Sequence, residues 1–554
     1  MKKALLLLVA SAVGFALIAA HLSRAADEGK VYPLRWVYVS TGLETDQELD
    51  RVEGITQVAS EHGLNGMLLS AGFDALDLKD ANYLRRLQHL KQTCDTRGIE
   101  IVPMGFSVGY GGGILSHDNN LAAALPVKGA LFIVSEREAR FQPDPPVKIE
   151  NGDFEKQLQG FTPRNGHITL DEAQHHSGRA SLRIDNIPSG DDEAAVSQPL
   201  SVHPYRSYRF HFWVKTEGLA PGTLLEGHAV AADGRDLAYL ERRLPPTGDW
   251  KEYFGSFNSW YADRVNLSVG AGSGKTGTVW MDDLEVEEVG LMNVVRREGT
   301  PVEVRNEKTG AVYKEGRDYA TILDPHLDFK WNHEGPVIGL LPGSRIHRGD
   351  RLRVDYFHGT TIYSDQVPVD ISEEKVYQIW QRQVPLVEKY LAPKKYFLSM
   401  DEVRVGGFCD ACIRRKMGMS EMLGDCLSRQ CRMIRAANPT AEIFVWSDMF
   451  DPNHNAREKY YLINGSFAET WKFMPKDLVI ACWYFEKRDL SLGFFSKLGY
   501  KTLAGAYYDG DDLENIKGWL ASLDQTPGAT GIMYTTWENK YKLLPAFGDL
   551  VSKR

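Results

Sequence analysis

Apolar and polar positions along the chain follow two rhythms. From Leu34 to about residue 125, short apolar runs alternate with segments of helical spacing. Leu34–Ser40, Gly66–Ser70 and Ile99–Met104 read as strands. Asp46–His62 and Ala81–Arg97 read as helices, the second with Leu84, Leu87 and Leu90 near one face. Strands separated by helices of about 10–15 residues imply parallel βαβ units. Near Pro145 the rhythm changes to short alternating runs at Ala180–Ile184, Tyr208–Val214, Glu252–Phe257, Arg264–Val269 and Thr278–Val286, with turn-rich segments between them. That pattern predicts a β-sandwich. Residues 289–365 form a second β-rich stretch, with strands at Pro301–Arg305, Ala311–Tyr313 and Arg351–Phe357. The first rhythm then returns. Glu373–Leu391 and Ser420–Ala437 read as helices, Tyr396–Met400 and Glu442–Ser447 as strands. Leu478–Trp483, Lys501–Tyr507 and Gly531–Thr536 follow as strands, with helical segments near Leu490–Leu498 and Leu513–Leu523.

Three strands precede the β-rich block and five follow it. Eight parallel strands alternating with helices make an α/β protein of the (β/α)8 TIM barrel type. The barrel is interrupted after strand 3 by a jelly-roll-type β-sandwich and a small β-rich segment. The expected divisions are 1–25 (signal peptide), 31–143 (barrel strands 1–3), 148–288 (sandwich), 289–365 (small β-rich segment) and 366–554 (barrel strands 4–8). A doubly wound open sheet is the rival topology.

The 554 residues, 43% hydrophobic and 25% charged, describe a folded protein. Lys2 and Lys3, an apolar run from Ala4 to Ala20 and the small-x-small site Ser23-Arg24-Ala25 make a secretory signal layout. The expected product is exported, periplasmic or extracellular, with no stable membrane span after cleavage. A net charge of −10 argues against nucleic acid as a partner, since a phosphate-binding surface needs a cationic patch. The 12 Trp and 24 Tyr suit sugar or peptide binding as well as a large core.

In such a barrel the chemistry lies at the C-terminal ends of the strands. There the sequence places Asp401-Glu402 after strand 4, Trp446-Ser-Asp448 after strand 5 and Trp483 after strand 6. Tyr507-Tyr508-Asp509 follows strand 7 and Trp537-Glu538 strand 8. Aromatic faces with carboxylates at one rim fit a carbohydrate site. Glycoside hydrolysis usually needs two carboxyl groups flanking the bond. Neighbours in a regular strand point to opposite faces, which places Asp401 and Glu402 poorly for that task. Either one of them pairs with a remote carboxylate (Asp448, Asp509 or Glu538), or the substrate's acetamido oxygen is the nucleophile.

Phe397-Leu-Ser-Met-Asp-Glu402 resembles the Asp-Glu motif of family 20 glycoside hydrolases, the β-N-acetylhexosaminidases. Arg97-Gly-Ile-Glu-Ile-Val-Pro103, Tyr507-Tyr508-Asp509 and Thr536-Trp537-Glu538 resemble that family's strands 3, 7 and 8. The resemblance implies a catalytic pair in which Glu402 protonates the leaving oxygen and Asp401 orients the acetamido group. It also implies a sugar pocket walled by Trp446, Trp483 and Trp537, with Tyr508 on the acetamido oxygen and Glu538 on sugar hydroxyls. The family's Arg after strand 1 is here Ser40-Thr41, and its His after strand 3 is replaced by Val108-Gly-Tyr-Gly-Gly-Gly113. Within the insertion, Asn151-Gly-Asp-Phe-Glu155, Tyr208–Lys215 and Val279–Val286 resemble carbohydrate-binding modules of jelly-roll type.

The expected activity is therefore a glycoside hydrolase acting on an oligo- or polysaccharide, without a cofactor. The alternatives are a retaining glycosidase pairing Glu402 with a remote carboxylate, and a non-catalytic polysaccharide-binding protein. The His residues show no metal spacing. Cys409-x2-Cys412 and Cys426-x4-Cys431 leave disulfide, free thiol and zinc open. Gly272-Ser-Gly-Lys-Thr276 lacks the phosphate-loop spacing and reads as a hairpin turn, and Gly109–Gly113 as a flexible rim loop.

Overall fold

The computed structural model describes residues 30–188 and 192–554, so the signal segment lies outside the described residues. Eight parallel strands close into a barrel: β1 (Leu34–Ser40), β2 (Gly66–Ser70), β3 (Glu100–Gly105), β4 (Lys395–Leu398), β5 (Glu442–Trp446), β6 (Leu478–Cys482), β7 (Lys501–Tyr507) and β8 (Ala529–Thr535). β3 pairs directly with β4, which carries the sheet across an insertion of nearly 290 residues. β8 pairs with β1 and closes the ring. Helices pack outside it: α1 (Asp46–Glu61), α2 (Ala81–Thr96), α3 (Glu374–Leu391), α4 (Met419–Ala437), α5 (Arg488–Lys497), α6 (Glu514–Asp524) and α7 (Leu544–Ser552).

The strand period of two sorts the barrel into two cores. Trp36, Leu68, Val102, Phe397, Phe444, Val479, Leu503 and Met533 fill the interior. Their neighbours Val37, Val39, Met67, Leu69 and Ile443 face outward into the layer shared with the helices. Gly66 is required by this packing, because a Cβ there would lie 2.4 Å from the Trp36 indole. α1 starts where Thr45 and Glu48 form a capping box, each side chain bonding the other's backbone N–H.

The insertion contains a sandwich of two five-stranded antiparallel sheets. One runs Gly248–Asn258, Ser207–Glu217, Thr278–Val289, Ser181–Asp185 and His167–Asp171. The other runs Asp236–Arg243, Leu224–Ala231, Arg264–Gly272, Glu193–Ser201 and Thr162–Arg164. The segment between Arg264–Gly272 and Thr278–Val289 crosses from one sheet to the other, so Gly272–Thr276 is an inter-sheet connection and not a hairpin turn. A six-stranded sheet completes the insertion. It joins Glu303–Asn306, Val312–Tyr313, Ile338–Gly339 and Arg351–His358 to Leu125–Val134 and Glu138–Phe141. Residues 125–141 thus belong with the small β-rich segment, and the barrel's first part ends before residue 143. Their apolar run was indistinguishable from the end of a barrel unit because its partner strand, Arg351–His358, lies over 200 residues away.

The sandwich core runs into the barrel loops. Ile362, Val405, Phe408 and Leu462 are buried in the same cluster as Leu225, Val269 and Val286. Trp260 packs edge-on against Phe408 at 5.0 Å, and Arg235 donates to the Tyr461 carbonyl at 2.8 Å. The sandwich is therefore seated on the mouth of the barrel. Among the described residues, no helix is long and apolar enough to cross a membrane.

Candidate active site

β4 stops at Leu398, and the chain leaves the sheet through Ser399–Glu402. Glu402 has φ 51°, in the left-handed region that non-glycine residues seldom occupy. The strand alternation that would separate Asp401 from Glu402 no longer applies. Both line one cavity of about 1770 Å³ at the barrel mouth. Ser399 Oγ donates to Asp401 Oδ1 at 2.7 Å. Glu402 Oε2 accepts from the Tyr110 hydroxyl at 2.5 Å, and Glu402 Oε1 pairs with Arg404 Nη2 at 2.8 Å. Arg404 is buried between the rings of Tyr363 and Tyr461, at 4.6 and 5.2 Å, and donates to Gln366 Oε1 at 2.5 Å. Gln366 in turn donates to the Glu402 carbonyl at 2.8 Å. The Tyr110 loop approaches this closely because residue 109 is glycine. A Cβ there would lie 2.1 Å from the Asp401 carbonyl oxygen. Gly109–Gly113 is thus packed against the Asp401–Glu402 loop, and Gly112–Leu115 forms a short helical turn.

Burial and crowding of like charges raise the carboxyl groups here. Asp401 is pushed up to about 6, first by burial and then by Glu402. Asp448 is pushed up to about 8, by burial, then Asp401, then Glu402. Asp448 does not reach the cavity. It stands behind Glu402, accepting its N–H at 2.9 Å and Asn455 Nδ2 at 3.0 Å. Its other oxygen is buried without a hydrogen-bond partner, which suits a protonated carboxyl. A further carboxyl, Asp74 after β2, lines the cavity and is pushed up to about 6 by burial, although it accepts from the N–H groups of Phe106 and Ser107 at 2.6 and 2.9 Å.

The aromatic residues divide. Trp446 is buried at the cavity floor, against Phe397 at 4.7 Å. Trp537 and Tyr508 are 42% and 46% exposed, an unusual state for large aromatic side chains, and both line the cavity beside Trp483. Trp483 and Tyr508 lie parallel, their centroids 6.0 Å apart. Tyr507 points the other way and stacks on buried Tyr534 at 4.1 Å, outside the cavity lining. Asp509 binds backbone: its Oδ2 accepts from Trp537 N at 2.7 Å and Glu538 N at 3.3 Å. Tyr507, Tyr508 and Asp509 all have positive φ, and this carboxylate holds that turn against the β8 loop. Glu538 is paired with Lys540 at 2.6 Å and with Arg243 of the sandwich at 3.2 Å; burial pushes its carboxyl up, and these two cations outweigh burial and lower it.

Of the expected site, Asp401, Glu402, Trp446, Trp483, Tyr508, Asp509, Trp537 and Glu538 line one cavity; Asp448 and Tyr507 do not. Sequence reasoning missed Tyr110, Arg404, Gln366, Tyr363 and Asp74. Arg404 carried a signal, two residues beyond Glu402 in the same loop. Tyr110 carried one as the single large side chain in a glycine run.

The cysteines do not form a four-thiolate site. Cys426 and Cys431 lie in the core on α4, and all six cysteines are free and buried. Cys409 and Cys412 meet Asp370 instead, the three donor atoms lying within 4.8 Å of one another. Glu193, Glu226 and His228 of the sandwich also converge, although no sequence spacing announces it.

Residues 148–275 match the family described as carbohydrate binding domain. A search of curated proteins finds no match. Solved structures similar to part of the chain include TmCBM61 in complex with β-1,4-galactotriose, at 17% identity over 25% of this chain and 95% of that one, TM-score 0.21. Another is the CBM22-1 xylan-binding domain of Paenibacillus barcinonensis Xyn10C, at 15% identity over 28% and 97%, TM-score 0.20. A third is the enzymatically active domain of bacteriophage CBA120 tailspike protein 4, at 16% identity, TM-score 0.22; the match covers 26% of this chain and 21% of that one. The family match supports a carbohydrate-binding module in the insertion.

Proposed function

We propose that the chain is an exported glycoside hydrolase of (β/α)8 type, acting on an oligo- or polysaccharide as the β-N-acetylhexosaminidases of family 20 do. The observation that carries this reading is the placement of Asp401 and Glu402 side by side in one aromatic-walled cavity. The acetamido oxygen attacks C1 while the glycosidic C1–O bond breaks, and Glu402 gives its proton to the leaving oxygen. Water then opens the cyclic intermediate, returning its proton to Glu402, with overall retention. Asp401, beside Ser399, accepts the acetamido N–H and steadies the positive charge. Trp446, Trp483, Tyr508 and Trp537 supply the faces on which pyranose C–H surfaces pack. The carbohydrate binding domain match and the cationic, apolar N-terminal segment support a secreted, sugar-directed role.

One observation favours a second reading. Glu402 is ion-paired to Arg404 and bonded by Tyr110, the surroundings of a carboxylate nucleophile. Asp74, raised by burial on another wall of the cavity, would then be the acid. Aryl β-glycosides with and without the acetamido group separate the two. Selective cleavage of the N-acetyl compounds, inhibition by a thiazoline analogue and loss of turnover in Glu402→Gln uphold the first. Equal cleavage of plain hexosides upholds the second, and hydrolysis of no substrate leaves a polysaccharide-binding protein.

A further inference from the structure

One sheet of the sandwich turns its outer face to the barrel mouth. Strand pairing sets Glu241 opposite Glu226, and Tyr239 opposite His228, on that face. In the next strand the partner of Glu226 is Gly270, and the Glu226 carboxylate lies 3.5 Å from His228, which meets Glu193 at 3.4 Å. Leu224, Glu226, Tyr239, Glu241 and Arg243 line the same cavity as Asp401 and Glu402.

This wall is fixed in place by four contacts. Arg243 pairs with Glu538 at 3.2 Å, at the end of β8. Arg242 pairs with Asp365 at 3.0 Å. Tyr363 N donates to the Tyr239 carbonyl at 2.9 Å, and the two rings lie 5.2 Å apart. Tyr363 also covers Arg404, the partner of Glu402, so the sandwich touches the reacting loop through a single intervening side chain. The cavity, about 1770 Å³, exceeds the roughly 300–1,000 Å³ typical of a site for one small molecule. Two facing glutamates beside a tyrosine present acceptors and an aromatic face, the pairing that sugar hydroxyls and C–H surfaces call for.

We propose that this face of the sandwich is a wall of the barrel's own substrate cleft, in which Tyr239, Glu241 and Glu226 hold sugar units adjoining the one processed at Asp401 and Glu402. The substrate is then an oligo- or polysaccharide, and the module selects chain length at the catalytic centre as well as binding carbohydrate. The inference rests on the hydrolase reading for its catalytic half only.

The test compares kcat/KM for the β-1,4-linked tetrasaccharide of N-acetylglucosamine with that for 4-nitrophenyl N-acetyl-β-glucosaminide, in the full chain. The ratio should fall about tenfold or more in Tyr239→Ala and in Glu241→Gln, with Tyr239→Phe keeping most of the ring contact. An unchanged ratio in both variants overturns the proposal. Calorimetric binding to β-1,4-linked tetrasaccharides of N-acetylglucosamine, xylose and galactose separates this outcome from failure of the hydrolase reading. Without any hydrolysis, a tetrasaccharide bound more tightly than its monosaccharide, and weakened about tenfold by Glu241→Gln, upholds the shared wall. Binding that is absent, or indifferent to both substitutions, overturns it.

Discussion

Tyr110 donates its hydroxyl to Glu402 across 292 positions of sequence, at 2.5 Å. The contact joins the loop after β3 to the loop after β4 and fixes the Glu402 carboxyl from the cavity side, while Arg404 holds its other oxygen. Hydrogen bonds to charged groups contribute about 1.5–3 kcal/mol. Tyr110→Phe, which keeps the ring, should lower kcat/KM about 10- to 100-fold if that energy is expressed in the transition state. Steady-state kinetics on an aryl N-acetyl-β-glycoside provides the check. A variant as active as wild type would show that Glu402 needs no fixing by Tyr110.

Arg404 tests the other oxygen. Its side chain is 5% exposed, between two tyrosine rings, and its guanidinium bonds both Glu402 and Gln366. Lysine carries the charge but not the planar fork. Arg404→Ala should cost about 3–5 kcal/mol in the barrel's urea unfolding, because it leaves a largely buried carboxylate unpaired. Arg404→Lys should recover part of the stability and little of the activity. Equal recovery of both would reduce Arg404 to a simple counter-charge.

The barrel strands were legible in the sequence because a buried parallel strand is a short apolar run and the helices between carry their own period. The nesting of the insertion followed from the strand count. The Asp401–Glu402 loop was less legible. Alternation along a strand argued that Asp401 and Glu402 diverge, and only the end of β4 at Leu398 and the left-handed Glu402 bring them together. Rim position did not separate Tyr508, which faces the cavity, from Tyr507, which stacks on Tyr534. Tyr239 and Glu241 had no signal at all, since their role depends on how a distant sandwich sits on the barrel.

Asp401 gives the proposed activity a pH dependence with a definite sign. Its carboxyl is pushed up to about 6, so it is mostly protonated below that pH and ionised above it. In the proposed reaction, a protonated Asp401 cannot stabilise the positive charge that develops on the acetamido group. Wild-type kcat/KM should therefore rise as pH increases through about 6, and Asp401→Asn should be low and flat over the same range. A variant that keeps the wild-type acid limb would assign that limb to another group.

Asp448 acts on stability. The ordinary aspartate value is about 3.9, and in the folded chain Asp448 is pushed up to about 8. Between those values the folded state holds a proton that the unfolded state has released. The associated stability is complete below about pH 4 and is lost as pH rises to about 8. Because burial and the neighbouring charges of Asp401 and Glu402 together raise Asp448, the loss belongs to this group of carboxyls. Urea unfolding from about pH 5 to about pH 9 should show wild type losing stability relative to Asp448→Asn, whose side-chain oxygen can still accept from Glu402 N. A constant difference across that range would mean that Asp448 is ionised in the folded protein.

Asp370 joins Arg297 to the cysteine pair Cys409 and Cys412. Arg297 pairs with its Oδ2 at 2.6 Å, and both side chains are buried. Cys409 donates to the same oxygen at 2.8 Å, and Cys412 to Oδ1 at 3.3 Å. The guanidinium already neutralises this carboxylate, so a cation bound by Asp370, Cys409 and Cys412 would compete with Arg297 for it. Asp370→Asn leaves Arg297 with Glu373 as its remaining carboxylate and should cost about 3–5 kcal/mol in urea unfolding. Cys409→Ala removes one weak thiol donor and should cost less than Asp370→Asn. The reverse order, together with stoichiometric zinc in the wild type that Cys409→Ala abolishes, would make the thiols metal ligands and the Arg297 pair secondary to them.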